Sequence, residues 1–317
     1  VSNLIFSFNV IMPIFLVVAL GYFLRKIELI DDRFVNMAIK FNFRVGLAVL
    51  LFKNIYDAKF AKVFDAKLMI FAFSAIVCSI VILSIIIPMF VKDRRRASAM
   101  IHTIYRSNFV LLGIPIAKFM FGDGNIASTA LLLPVAIPTY NFLAVVLLTV
   151  FGENKTGNIG EKIKFTLIGV IKNPLIIASF LAIIFQIFSI KLPIFVARSV
   201  DDVAALGTPL ALITLGAQFK FKSAMGNLKY SLIATFGRLI VVPGTVITTA
   251  YFIGFRGYEL GSLFILFCAP TAVSSYVMAK EMDSDYELTG DVVLLSTFFS
   301  MFTIFIGIYL LKALKLI

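Results

Sequence analysis

The chain has 317 residues, 61% apolar and 15% charged, with a formal net charge of +12 and a mean hydropathy of +1.02. Charged residues make up about a quarter of an ordinary soluble chain, so this composition excludes one. Nor does the basic excess mark a nucleic-acid binder: Lys and Arg cluster in short loops between apolar runs, and no zinc spacing, nucleotide loop or aromatic-interleaved basic surface accompanies them.

Apolar runs of about 20 residues, the length that crosses a hydrocarbon core, recur along the whole chain. They predict an all-α polytopic membrane protein with ten spans. The first, Leu4–Leu24, lacks a basic n-region and a clear cleavage site, so it is expected to be a true span rather than a signal peptide. A first residue other than Met points to a processed or trimmed chain. The others are Phe34–Ile55, Leu68–Val91, Ala99–Phe121, Ile126–Phe151, Phe165–Phe188, Phe195–Phe219, Tyr230–Phe255, Leu260–Met282 and Leu288–Leu311. Polar stretches such as "KDRRR", "GENKTGNIGEK" and "EMDSDYELTGD" separate them, none long enough for a soluble domain. More Lys and Arg follow the odd-numbered spans than the even ones, which places both termini outside the cell. Cys78 and Cys268 fall inside apolar runs and read as buried thiols without a disulfide.

Ten spans divide into five and five. Laying the first half over the second matches Ala117, Lys118, Met120 and Asp123 with Ala279, Lys280, Met282 and Asp285. Leu132-Leu133 then falls on Leu294-Leu295, and Leu47-Ala48 falls near Leu210-Ala211. The expected organisation is a first five-helix repeat at 1–152, a short cytoplasmic linker at 153–164 and a second repeat at 165–317. With an odd number of spans per repeat, the second copy enters the membrane inverted. Inverted repeats with interrupted helices at corresponding places point to a secondary transporter and its midplane site.

Two interruptions answer to that description: Gly113-Ile114-Pro115 in span four, and "APTAVSSY", Ala269 to Tyr276, in span nine. An ordinary proline kink would explain either one alone. Paired breaks instead predict crossing half-helices whose N-termini favour an anion and whose C-terminal carbonyls suit a cation. Beside them stand Asn108, which can donate two hydrogen bonds to a carboxylate, and the hydroxyls of Thr271, Ser274 and Ser275. Ser and Thr in membrane helices more often bond their own backbone. Among ionisable groups inside spans, Lys40, Arg106 and Arg238 can snorkel to an interface, whereas Arg44 near the middle of span two is harder to place so. His102 reads as a loop-proximal residue. Asp201, Asp202, Glu259, Glu281 and Asp291 all lie near segment ends, leaving no buried carboxylate relay. The chain offers no nucleophile–base pair and no metal-ligand cluster, so an intramembrane enzyme or receptor-like sensor is the weakest reading. The predicted substrate site is Asn108, Gly113, Pro115, Pro270, Thr271, Ser274, Ser275 and Arg44. As an alternative, oxygens of Asn108, Thr271, Ser274 and Ser275 would hold Na⁺.

Four ordered motifs resemble the auxin efflux carrier family, in its bacterial and archaeal malate- or malonate-permease-like branch with a bile-acid-transporter-like fold. They are "NFVLLGIP" (Asn108–Pro115), "NPLIIA" (Asn173–Ala178), "PLALITLGAQF" (Pro209–Phe219) and "APTAVSSYVMAKEM" (Ala269–Met282). The resemblance implies broken crossover helices 4 and 9. It further implies a scaffold of spans 1, 2, 6 and 7 that forms a homodimer, and a transport domain of spans 3–5 and 8–10 that moves as an elevator. Asn108 matches the family's substrate-contacting Asn, and Pro115 and Pro270 match its crossover prolines. Two departures stand out. The family's span-two proline is missing from Val49-Leu50-Leu51-Phe52, and "GENKTGNIGEK" replaces the long regulatory loop of plant exporters. The function implied is membrane transport of small organic anions in the lipid bilayer of a cell membrane, without a cofactor or with Na⁺ as the coupling ion.

Overall fold

A computed structural model describes residues 2–57, 65–109, 113, 116–117, 120–121, 127–151, 168, 171–218 and 221–317. Among them the regular structure is helical, apart from one isolated antiparallel bridge between Ser107 and Thr271. In chain order the helices are α1 (Ser2–Lys26), α2 (Asp32–Phe41), α3 (Leu47–Asp57), α4 (Ala66–Phe90) and α5 (Arg94–Tyr105). Then follow α6 (Ala127–Phe151), α7 (Pro174–Ile187), α8 (Ile194–Gln218), α9 (Phe221–Phe236) and α10 (Val242–Ile253). The last are α11 (Gly257–Cys268), α12 (Ser274–Glu281) and α13 (Tyr286–Ala313). One π-helical turn, Asn42–Gly46, joins α2 to α3, and another, Gly237–Val241, joins α9 to α10, so each pair forms one continuous rod.

The polar punctuation marks helix starts for a physical reason. Helix N-termini leave backbone N–H groups without intrahelical partners, and an Asp or Asn side chain supplies the acceptor. Asp31 accepts from Phe34 N at 2.7 Å, Asp65 from Leu68 N at 3.0 Å and Asp93 from Arg95 N at 2.9 Å. Asp285 does the same for Leu288 N at 3.0 Å. Asn173 caps α7 by accepting from Leu175 N at 2.9 Å, with Pro174 at the first helical position.

Six of these helices are long and apolar enough to cross a membrane: Asp32–Asp57, Ala66–Phe90, Leu131–Phe151, Ile194–Gln218, Asn227–Ile253 and Tyr286–Ala313. Pro174–Ile187 and Gly257–Cys268 are apolar but shorter. Phe90, Ile194 and Phe252 lie exposed on outer faces, as side chains in contact with hydrocarbon would. Cys78 lies exposed on α4, not buried as its apolar neighbours suggested, because that helix turns much of its apolar surface outward; Cys268 is buried, and both thiols are free.

The helices pack through small residues where backbones meet. α1 lies against α8, and α3 lies against α7 and α8. At the α1–α8 contact a Cβ on Gly21 would collide with the carbonyl of Ile213, and one on Gly216 with the carbonyl of Val18. Such close approach is how helices associate where lipid removes the hydrophobic drive between them. Elsewhere α4 packs on α5 and α6, α9 on α13 and α5, and α10 on α11. A half-buried bond joins α12 to α8: the Tyr276 hydroxyl donates to Gln218 Oε1 at 2.6 Å.

Two landmarks fix the direction of the helices around α9–α10. Lys67 at the start of α4 donates to the Ile253 carbonyl at the end of α10, at 3.3 Å, so α4 runs opposite to that rod. Arg96 lies over the Tyr230 ring at 4.7 Å, and α5 then runs alongside the rod to its middle. α11 turns back after Gly254 and descends from the other end. Each of α5 and α11 has 12 residues, about 18 Å at 1.5 Å per residue. They converge end to end beside Arg238. Gly216→Leu should lower the thermal midpoint and the folded yield in detergent, since overpacking costs about 1–3 kcal/mol. Gly244→Ala, where a Cβ meets nothing within 4 Å, should leave both unchanged.

Candidate functional site

Where α5 and α11 end, the chain runs extended. Arg106 has φ −81° and ψ 120°, and Ala269 has φ −60° and ψ 144°. The two extended pieces cross antiparallel at Ser107 and Thr271, with Asn108 N donating to the Pro270 carbonyl at 2.8 Å. The helical carbonyls freed by the breaks are then satisfied in a reciprocal way. Ser107 Oγ donates to the Leu266 carbonyl of α11 at 2.6 Å, and Thr271 Oγ1 donates to the Thr103 carbonyl of α5 at 2.8 Å. Each break thus caps the other's helix.

Arg238 completes the accounting. It is fully buried, and its Nε and Nη2 donate to the Ala269 carbonyl at 2.8 and 2.7 Å. Its Nη1 donates to the carbonyls of Ile104 and Tyr105 at 3.3 and 3.0 Å. The expectation that Arg238 snorkels is therefore corrected. It lies at the middle of a rod, where the carbonyl ends of two half-helices take the place of water.

Next to the crossing lies a cavity of about 310 Å³. Arg106, Ser107, Asn108, Asn141 and Ser274, with Asn54, Tyr140 and Thr208, contribute its polar wall, and Leu50, Leu51, Phe109, Ile137, Leu175 and Ala211 are among its apolar lining. The side chain of Arg106 is 4% exposed. Its Nη2 donates to Asn141 Oδ1 at 2.7 Å and to Ser274 Oγ at 3.0 Å, and its Nη1 donates to Met278 Sδ at 2.9 Å. His102 Nε2 stands 3.5 Å from the same nitrogen. All four partners are neutral or weak acceptors, and among the described residues no carboxylate pairs with this guanidinium. Asn108 is 7% exposed, and its Nδ2 has no partner among the described residues. A buried charge without a counter-charge, and a buried amide without an acceptor, each cost free energy that an anion in the cavity would recover.

The predicted site residues are distributed unevenly around this cavity. Asn108 and Ser274 line it. Pro270 and Thr271 form the crossing, and the Thr271 hydroxyl is engaged by Thr103. Ser275 is buried behind Ser274, with no partner for its hydroxyl among the described residues. Arg44 is exposed and is not among the lining residues, so the structure does not bring it to the cavity. Pro115 and Ile114 lie outside the described residues. Gly113 is helical, and the interruption seen among the described residues is upstream of it, at Arg106–Asn108. Its lack of a side chain serves packing: a Cβ there would come within 2.6 Å of the Phe109 ring. His102, expected near a loop, is fully buried in α5.

Arg106, Asn141 and Arg238 were not among the expected site residues. The signal for Asn141 was available, since it closes a polar Thr139-Tyr140-Asn141 run inside an otherwise apolar span. Among the described residues no group of His, Cys, Asp and Glu could hold a metal ion.

Residues 6–308 match the family model described as "Membrane transport protein". The chain is 22% identical over 307 residues to an uncharacterized transporter of Methanocaldococcus jannaschii, covering 93% of this chain and 96% of that protein. It is also 22% identical over 302 residues to an uncharacterized transporter of Methanothermobacter thermautotrophicus, covering 93% and 95% respectively. The alignments run nearly end to end and include both halves of the crossing. Because a buried cation without a counter-ion carries a desolvation penalty of several kcal/mol, Arg106→Met should not lower the thermal midpoint of anion-free protein. The same variant should lose any stabilisation by added carboxylates, read by thermal unfolding in detergent.

Proposed function

Because the chain belongs to the auxin efflux carrier family of membrane transport proteins, we propose that it carries small organic anions across a cell membrane. In this reading it is a secondary transporter working by alternating access, not an enzyme. The observation that supports it most is the Arg106 guanidinium, buried on the cavity wall without a carboxylate partner among the described residues, beside the unsatisfied Asn108 amide. A substrate carboxylate would accept from both. The N-terminus of α12 at Ser274 adds the favourable end of a helix dipole.

The same cavity narrows the substrate. The Arg106 guanidinium is the one charged group among the described lining residues, and more than half of the others are Leu, Ile, Ala, Val and Phe. That balance favours a singly charged carboxylate with an apolar body over a dicarboxylate, whose second charge would meet apolar surface at high cost. The Na⁺-coupled alternative would draw on oxygens of Asn108, Thr271, Ser274 and Ser275. The Thr271 hydroxyl is already engaged with the Thr103 carbonyl, and Ser274 Oγ accepts from the Arg106 guanidinium, a cation at that very position. Carriage of the anion itself is therefore the preferred reading.

The wider architecture belongs to the same proposal. Ten spans form two inverted five-helix repeats, 1–152 and 165–317, with spans 4 and 9 crossing at the site. Spans 1, 2, 6 and 7 form the scaffold and a homodimer contact, while spans 3–5 and 8–10 slide past it. Both termini lie outside the cell. The reciprocal capping of Ser107 and Thr271 is the local geometry that a pseudo-twofold crossing would give.

Thermal unfolding with phenylacetate, malate, malonate and Na⁺, followed by uptake of the stabilising anion into proteoliposomes, tests the reading. Phenylacetate should stabilise more than malonate, and uptake should saturate. A hydrogen bond to a charged group is worth about 1.5–3 kcal/mol, so Asn108→Ala should weaken anion binding by about tenfold or more while leaving the protein folded. Wild-type affinity in that variant would refute the site.

A further inference from the structure

Arg238 is not a lining residue of the cavity, yet the crossing is built around it. Two helix C-termini point at one position from opposite ends of the α9–α10 rod, each carrying roughly half a negative charge. Together they present about one unit of negative charge, and a single guanidinium meets it. The fork geometry matters as much as the charge. Nε and Nη2 hold the Ala269 carbonyl from one half-helix, while Nη1 holds Ile104 and Tyr105 from the other. Lysine has one point charge and no such fork.

This grip lies one residue from Arg106 on one strand of the crossing and one residue from the paired Pro270 on the other. Tyr105 is followed by Arg106, and Ala269 by Pro270, whose carbonyl receives Asn108 N. The π-helical turn Gly237–Val241 is where the rod departs from regular winding, and Arg238 occupies it. Such turns are often found at functional positions. Tyr140, which lines the cavity, also approaches Arg238 closely enough to interact with it electrostatically.

We propose that Arg238 is a positioning residue: its guanidinium clasps the carbonyl ends of α5 and α11 and so holds Arg106, Asn108 and Ser274 at the spacing that receives an anion. It does this without touching the guest. The clasp is a cation supplied by the chain itself at the position where an interrupted-helix crossing otherwise exposes unpaired carbonyls. The effect on anion affinity rests on the transport reading above; the effect on the crossing's stability does not.

The test uses the full chain purified in detergent. Arg238→Ala should lower the thermal midpoint by about 5 °C or more and lose the shift produced by phenylacetate. Millimolar methylguanidinium should restore both in part, while methylurea, which is neutral and of similar shape, should restore neither. Arg238→Lys keeps the charge but reaches one helix end only, so it should fold yet bind phenylacetate about tenfold more weakly. Wild-type protein should show the same midpoint in sodium chloride and choline chloride within about 1 °C.

Equal rescue by methylurea, or wild-type anion affinity in Arg238→Lys, would overturn the clasp. So would a sodium-specific rise of several degrees in the wild type, since a second cation would then share the crossing; that arm is readable even if Arg238→Ala cannot be purified. If phenylacetate fails to shift the wild type while methylguanidinium still rescues Arg238→Ala, the substrate assignment fails and the clasp stands.

Discussion

A helix severed in apolar surroundings frees carbonyls and amides that no water can reach, and every one must find a partner inside the protein. That requirement organises this molecule. Two half-helices arrive from opposite directions, stop near the same depth, and exchange caps through Ser107 and Thr271. What the exchange leaves open at their carbonyl ends, Arg238 closes. The extended residues between are then held by one another, and the Asn108–Pro270 bond keeps the strands in register. Irregular backbone persists here because it is over-determined by its neighbours.

The consequence is a division of electrostatic labour. The negative ends of α5 and α11 face a cation that belongs to the chain. The amide end of α12 and the side chains of Arg106 and Asn108 face a cavity whose polar wall carries positive charge without a described acid to match it. Burying an unmatched guanidinium is unfavourable for a protein that only needs to be stable. Its presence on a cavity wall is what the proposed carriage of an anion would account for.

Much of the architecture was legible in the sequence because lipid-facing helices advertise themselves by composition and their starts by Asp and Asn caps. The second break was located well: the chain is out of the helix from Ala269 to Val273, within the stretch set off by Pro270. Ahead of the expected first break, Arg106 to Asn108 leave the helix although they carry no Gly or Pro to mark them, while Gly113 is helical. Their extended form comes from pairing with residues 269–271, a tertiary effect that local propensity does not encode. The arginines misled for a related reason. Position along a span does not tell which face a side chain occupies, so Arg44, central in its run, lies exposed, while Arg238 is buried at the crossing. Asn108, singled out because its amide is polar in an apolar run whichever way the helix turns, does line the cavity.

Gly113 acquires a different meaning from the one its sequence suggested. The Phe109 ring rests where a side chain on residue 113 would be, one helical turn along, and that ring forms part of the chamber wall. Enlarging residue 113 would push the aromatic aside and remould the chamber while leaving the Arg106 and Asn108 groups of its polar wall in place. In the proposed reading, selection by bulk is then set through a residue that is not itself on the chamber wall, separately from the groups that would hold the carboxylate.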